Sequence, residues 1–498
     1  MEKDGLRLRV ARDSLWNLSA TFISKLGALI FTVIIARYLL PEGFGLYNLA
    51  TSVALIFLTF ADLGINQAMI RYVSLEIEKN RNKATAYFRY LLKIKIMLLI
   101  IFSLLLFILA YPLSNSIFKK QELFLPLLIL SLYVFVLGLS GFFESLFYLK
   151  NKVKYIAIKE AILQSSKIIL VLLIPLIFLT SQYIIGTIYS LVLTAIIVLL
   201  FVIYFSRKGL EFLFSKTKLI INKKEVLKFV VYLTLGTLSI IFFSYIDTIM
   251  LGLFVSADNI GYYKAAFTLV FGVSGLLSFV NVLMPVLTRI EISKLSDVLN
   301  KIIKYSMMLT IPATFGLIVL ARYIIRFVYG YEYLSATIFL YLLSPLTILS
   351  VNIGIFYILF SARSKPEKFA KLTIIATILN VILNYLFIIY FLKISEFQAT
   401  IGVAIATLIS WIFYFIASII LIKKELHIRF EWVNIIKPLL ASIMMFLVLK
   451  FSLSKILDLN ILNGTGIVIF GILIYFIALL LMHGLNKEDL ELIKKFIS

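Results

Sequence analysis

Apolar runs long enough to cross a bilayer repeat from one end of this chain to the other, and they limit what it can fold into. A helix needs about 20 such residues to span the hydrocarbon core. Fourteen segments qualify: 14–36, 44–68, 93–112, 123–147, 160–180, 183–205, 229–253, 262–287, 303–325, 334–360, 369–391, 399–422, 434–453 and 464–483. Of the 498 residues 62% are hydrophobic, and the mean hydropathy is +1.06. The expected fold class is an all-α polytopic membrane protein with fourteen transmembrane helices.

Charge tests that count. The chain carries 48 Lys+Arg against 25 Asp+Glu, a net charge of +23. In a soluble protein this would point to nucleic acid. Here the basic residues fall between apolar runs, so they report topology and no nucleic-acid partner is expected. With the N-terminus placed in the cytoplasm, the inner segments hold 37 basic residues and the outer ones 9; only Lys25 and Lys167 lie well inside helices. Every loop obeys the positive-inside rule when both termini are cytoplasmic. Losing one helix would reverse the bias downstream. The polar leader Met1 to Asp13 runs into a helix too long for a signal peptide, so none is expected.

Four divisions follow. Residues 1–205 form an N-terminal six-helix lobe, 206–228 a basic amphipathic cytoplasmic linker, 229–422 a second six-helix lobe, and 423–498 a C-terminal helix pair with a cytoplasmic tail. The linker's Phe212, Leu213 and Phe214 suggest contact with the inner membrane surface. The lobes share one short motif. Gly45-Leu46-Tyr47-Asn48-Leu49-Ala50 and Gly261-Tyr262-Tyr263-Lys264-Ala265-Ala266 both read Gly-x-Tyr-x-x-Ala, and each opens the second helix of its lobe. Equal orientation in the two units means a parallel repeat about an axis along the membrane normal.

Intramembrane polar residues then mark the candidate site. An ionisable group inside the bilayer is costly and faces protein or a water-filled cavity. Lys25 lies near the midplane, thirteen residues from Arg12 and twelve from Arg37. It shares a helix face with Asn17, Thr21, Ser24 and Ala28. The second segment carries Asn48, Ser52, Thr59, Asp62 and Asn66, and the seventh carries Thr234, Thr237, Ser244 and Asp247. Hydroxyls and glycines on such faces also serve helix packing. Glu144 and Lys167 fall at similar depth on adjacent helices and are expected to form a structural ion pair.

Soluble-enzyme chemistry finds no footing. The chain has no cysteine, which excludes disulfides, thiolate metal sites and cysteine nucleophiles. Its two histidines, His427 and His483, are too few for a metal site, and no cofactor is expected. Neither G-x-x-x-x-G-K-[ST] nor G-x-G-x-x-G occurs, so no nucleotide-phosphate cradle is present. Short outer loops leave no room for a catalytic domain, and no enzymatic activity is expected.

The run from Asn17 to Lys25, then Ala36-Arg37-Tyr38-Leu39-Leu40-Pro41-Glu42-Gly43-Phe44-Gly45-Leu46-Tyr47, then Ala61-Asp62-Leu63-Gly64, resembles the N-terminal region of polysaccharide biosynthesis flippases. These belong to the multidrug/oligosaccharidyl-lipid/polysaccharide exporter superfamily. The resemblance implies two six-helix lobes in a V, lined by the first, second, seventh and eighth helices. It implies as substrate a polyprenyl-(pyro)phosphate-linked oligosaccharide, moved across the cell membrane by alternating access. Lys25 would then bind the phosphate, and Asn17, Thr21, Ser24 and Asn66 the sugar hydroxyls, with Asp62 and Asp247 in the same site. Membrane lipids, and glycan-assembly enzymes, are the partners so implied. The main rival is a cation-coupled multidrug exporter on the same fold, for which an acid would be expected where Lys25 stands. A membrane glycosyl polymerase and a non-transporting scaffold are the others.

Overall fold

The computed structural model describes residues 2–484, except 150–151, 216, 218, 220, 279, 364, 429, 432 and 454–460. Among them only helices and connecting turns occur. In order these are α1 (Glu2–Asp62), α2 (Ile65–Glu76), α3 (Arg81–Pro112), α4 (Phe124–Leu149), α5 (Val153–Leu172), α6 (Ile174–Ile177), α7 (Tyr183–Arg207), α8 (Lys223–Phe254) and α9 (Ala257–Leu277). Then come α10 (Val280–Arg289), α11 (Ile292–Val319), α12 (Ala321–Val328), α13 (Thr337–Leu343), α14 (Leu346–Ala362), α15 (Pro366–Leu392), α16 (Glu396–Leu426), α17 (Val433–Leu453) and α18 (Ile461–Leu481).

Eleven helices are long and apolar enough to cross a membrane, or twelve if the bent pair α13–α14 is one span. Fourteen were expected, and part of the difference is local chemistry. The first qualifying stretch, Ser19–Glu76, holds two expected segments. They meet at Leu40, whose φ of 57° and ψ of 175° leave the helix. Pro41 follows, and a proline disfavours the α conformation of the residue before it. The join between the two expected segments is thus a one-residue kink. A second break comes at Leu63 and Gly64, both with positive φ. It separates Asp62 from Asn66, so these two do not share a continuous helical face as expected. The seventh expected segment lies within α8, where several side chains are outside the described residues.

Caps start the helices that leave polar loops. Asn80 accepts from the Lys83 N–H at 3.1 Å at the head of α3, and Asn222 from the Glu225 N–H at 3.3 Å at the head of α8. Each satisfies one of the donors a helix start leaves free. Large apolar side chains such as Leu176, Leu200 and Leu481 stand exposed on the helices, a surface that suits lipid and not water.

Contacts divide the chain into two compact units. One comprises Met1–Lys264 with Ala370–Thr407, the other Ala265–Phe369 with Leu408–Ser498. In the first unit, α1 packs along α5, and α4 along α7. The segment after α7 folds onto this unit. Phe214 meets Phe88 edge-on at 5.1 Å, Arg207 lies over the Phe214 ring, and Arg89 donates to the Ser215 carbonyl at 3.0 Å. Its Leu210, Leu213 and Ile221 are buried, so they serve this unit's core. In the second unit, α17 packs on α11 and α18, and the Tyr475 hydroxyl donates to the Met308 carbonyl at 2.8 Å.

Candidate functional site

Lys25 sits in α1, fifteen residues before the kink. Its side chain is exposed, and no described ion pair includes it. The opposite side of the helix explains why. Gly27 rests on Gln164, where an added Cβ would lie 2.6 Å from the Gln164 Cβ. One turn later, Phe31 is covered by the Lys167 ammonium, 4.4 Å from the ring centre. Gln164 and Lys167 both belong to α5, so the Gly27 face of α1 is packed and the Lys25 face is not. Thr21 and Ser24, on the Lys25 side, are half-buried; the Asn17 side chain lies outside the described residues.

A second polar group lines a cavity of about 290 Å³ within the first unit. Asp62, Asn66, Lys95, Glu144 and Lys159 face it, with Leu58, Leu137 and Val198 as apolar wall. Asp62 and Lys95 form an ion pair, and Lys95 is fully buried. Lys159 bridges Glu144 at 3.0 Å and Glu160 at 2.5 Å. This corrects the expected Glu144–Lys167 pair. The two lysines are eight residues apart on α5, about 12 Å along its axis, and Glu144 pairs with the first of them. Lys167 rests instead on Phe31. The Asn66 Oδ1 is buried with no hydrogen-bond partner.

Asp247, on α8, is enclosed. Its carboxylate accepts from the Tyr263 hydroxyl at 2.7 Å, the Asn384 amide at 2.7 Å and the Thr407 hydroxyl at 2.9 Å. The Asn384 amide also donates to Asn380 Oδ1 at 3.2 Å, while Asn384 Oδ1 has no partner. Carboxylate, amide and hydroxyl oxygens are the donors that hard cations take. Among the described residues, no group of three or more His, Cys, Asp or Glu side chains could hold a metal ion.

Sequence reasoning missed several of these partners. By position Lys95 and Lys159 belong with the basic residues of the inner segments, yet they lie inside α3 and α5, where they neutralise acids. The signal was present, because two acids inside apolar segments require two cations near them. Asn380 and Asn384 are also visible in the sequence as two amides one helical turn apart in an apolar run. Nothing local marks Thr407 as the partner of an aspartate 160 positions earlier.

Known proteins resemble the chain in both sequence and fold. A curated relative from Haloferax volcanii, described as "Probable low-salt glycan biosynthesis flippase Agl15", is 26% identical over 273 residues, covering 53% of this chain and 56% of that one. The chain thus spans little more than half of that relative's length. Among solved structures, one described as "Lipid II flippase MurJ, inward closed conformation" superposes with a TM-score of 0.76 at 20% identity, covering 93% of this chain and 97% of that one. An inward-facing multidrug resistance MATE family transporter of the MOP superfamily gives a TM-score of 0.63 at 16% identity, over 82% of this chain and 98% of that one. At such identities these two show a shared fold. The family model described as "Polysaccharide biosynthesis protein" matches residues 10–291, more than half of the sequence, and the chain belongs to that family.

Proposed function

We propose that this protein is a flippase for a lipid-linked glycan. It moves a polyprenyl-(pyro)phosphate-linked oligosaccharide or repeat unit across the cytoplasmic membrane by alternating access, with both termini in the cytoplasm. One observation carries the reading. In a family tied to polysaccharide synthesis, a bare lysine stands in the middle of an apolar helix, exposed and outside every described ion pair. An uncompensated cation at that depth is expensive unless an anion visits it. The substrate brings one, a phosphate joined to a lipid tail that stays in the bilayer and a glycan that does not.

In this reading Lys25 holds the phosphate through charge-assisted hydrogen bonds. Asn17, Thr21 and Ser24 on the same helix, and Asn66, offer hydrogen bonds to sugar hydroxyls. Asp62 and Asp247 already have protein partners, so they hold α1, α3, α8, α15 and α16 in place around the path. Glycan-assembly enzymes supply the substrate and take the product.

The test is leaflet exchange of a labelled lipid-linked oligosaccharide in liposomes that contain only this protein. Exchange above that of empty liposomes is expected. Exchange of a cationic drug across the same membrane, without exchange of the glycolipid, would favour the exporter instead.

A further inference from the structure

The geometry points to a reciprocal glycine seam, built from the two copies of the Gly-x-Tyr-x-x-Ala motif, that shuts the outer end of the transport path and cannot close if either glycine carries a side chain. This rests on the flippase reading and its topology.

The contact is between backbones. A Cβ added at Gly45 would overlap the Ala257 carbonyl oxygen and lie 2.8 Å from its carbon and 3.0 Å from the Gly261 nitrogen. A Cβ added at Gly261 would overlap the Pro41 carbonyl oxygen and lie 2.7 Å from its carbon. Flexible side chains can move aside from a new methyl, but helix backbone cannot without parting the helices. Both glycines therefore serve close approach, the use of small residues wherever membrane helices touch.

The seam is also symmetric. Gly45 meets Ala257, four residues before Gly261; Gly261 meets Pro41, four residues before Gly45. Equivalent positions of the two repeats thus face each other in exchange, as in an isologous interface. One polar clip crosses beside it. The Lys120 ammonium, from the turn before α4, donates to the Gly252 carbonyl on α8 at 2.9 Å. Tyr263, two residues past the seam glycine, donates to Asp247, so the seam connects directly to the buried polar cluster. All of these residues lie in the first compact unit. Placed in the proposed topology, Pro41–Gly45 and Ala257–Gly261 are at the outer side, where release of the glycan requires them to part.

The test uses the absence of native cysteine. Ser52→Cys places a thiol on the face of Gly45, two turns further in. Labelling by a membrane-impermeant thiol reagent from outside should be slow with both glycines present. Gly45→Ala and Gly261→Ala should each raise it several-fold and depress flipping, while Gly316→Ala, whose Cβ meets nothing within 4 Å, should change neither. Unchanged labelling in folded Gly45→Ala and Gly261→Ala proteins would overturn the seam. Should those variants not fold, spin labels at Glu42 and Asp258 keep both glycines. A population in close approach is expected, and a single long distance would refute the contact. Labelling that responds to the glycines in a protein that flips no glycolipid would leave the seam standing and remove the flippase reading.

Discussion

At the scale of the residue, Lys25 and Lys95 stand in opposite surroundings inside apolar helices. Lys95 has no exposure and holds Asp62, which makes it scaffold. Lys25 is exposed on the unpacked side of α1 and is free to meet an incoming anion. Hydrogen bonds to charged groups contribute about 1.5–3 kcal/mol, so losing them should lower transport roughly ten- to a hundredfold at limiting substrate. Lys25→Ala should show that loss with normal membrane insertion, because no described ion pair is broken. Lys25→Arg should retain part of the activity, since it keeps the charge but changes reach and geometry. Lys25→Glu should be worse than alanine, because it repels phosphate. Initial rates of glycolipid exchange check the series, and a wild-type rate in Lys25→Ala would remove Lys25 from the site.

At the scale of the element, the ion pairs decide which helices are tied. Glu144 joins α4 to α5 through Lys159, whereas Lys167 joins α5 to α1 through an aromatic face. Residues in direct contact couple by about 0.5–3 kcal/mol in double-mutant cycles, and independent ones by less than about 0.5. Glu144→Gln with Lys159→Met should therefore lose less thermal stability in detergent than the two single changes together. Glu144→Gln with Lys167→Met should be additive, and coupling of that second pair would restore the partner that sequence depth suggested. Much at this scale was legible beforehand. Apolar runs located the helices, and Pro41 between two of them is a local signal for the kink at Leu40, because a proline acts on its neighbour. The break at Gly64 was not legible, since a glycine inside an apolar membrane helix serves packing as readily as a left-handed turn. Nor was the choice between Lys159 and Lys167, because depth counted from loops cannot tell where on a helix surface two side chains meet.

At the scale of the whole molecule, charge asymmetry and contacts give two different partitions of the chain. The asymmetry is a property of loops, and with fourteen expected spans it leads to the expectation of two six-helix lobes and a terminal pair. The contacts follow touching surfaces, and they group Ala370–Thr407 with Met1–Lys264, because Asn384 and Thr407 bind Asp247 and Glu396 accepts from the Ser256 N–H at 2.7 Å. Such long-range pairings leave no local trace in a sequence, whereas a loop's charge does. Topology is thus the most testable whole-molecule statement. Single cysteines in place of Ser181, Ser256 and Ser395 should react with an impermeant thiol reagent from outside, because they lie between segments on the side poor in basic residues. Ser181 and Ser395 are exposed. A cysteine at Ser215, also exposed, should react only after the membrane is opened; Ser364, a matching inner position, lies outside the described residues. Outside labelling at Ser215 would invert the segment that follows α7. The basic residues from Arg207 to Lys228 would then face outward against the positive-inside rule, and the seam would shut the cytoplasmic end of the path instead of the outer one.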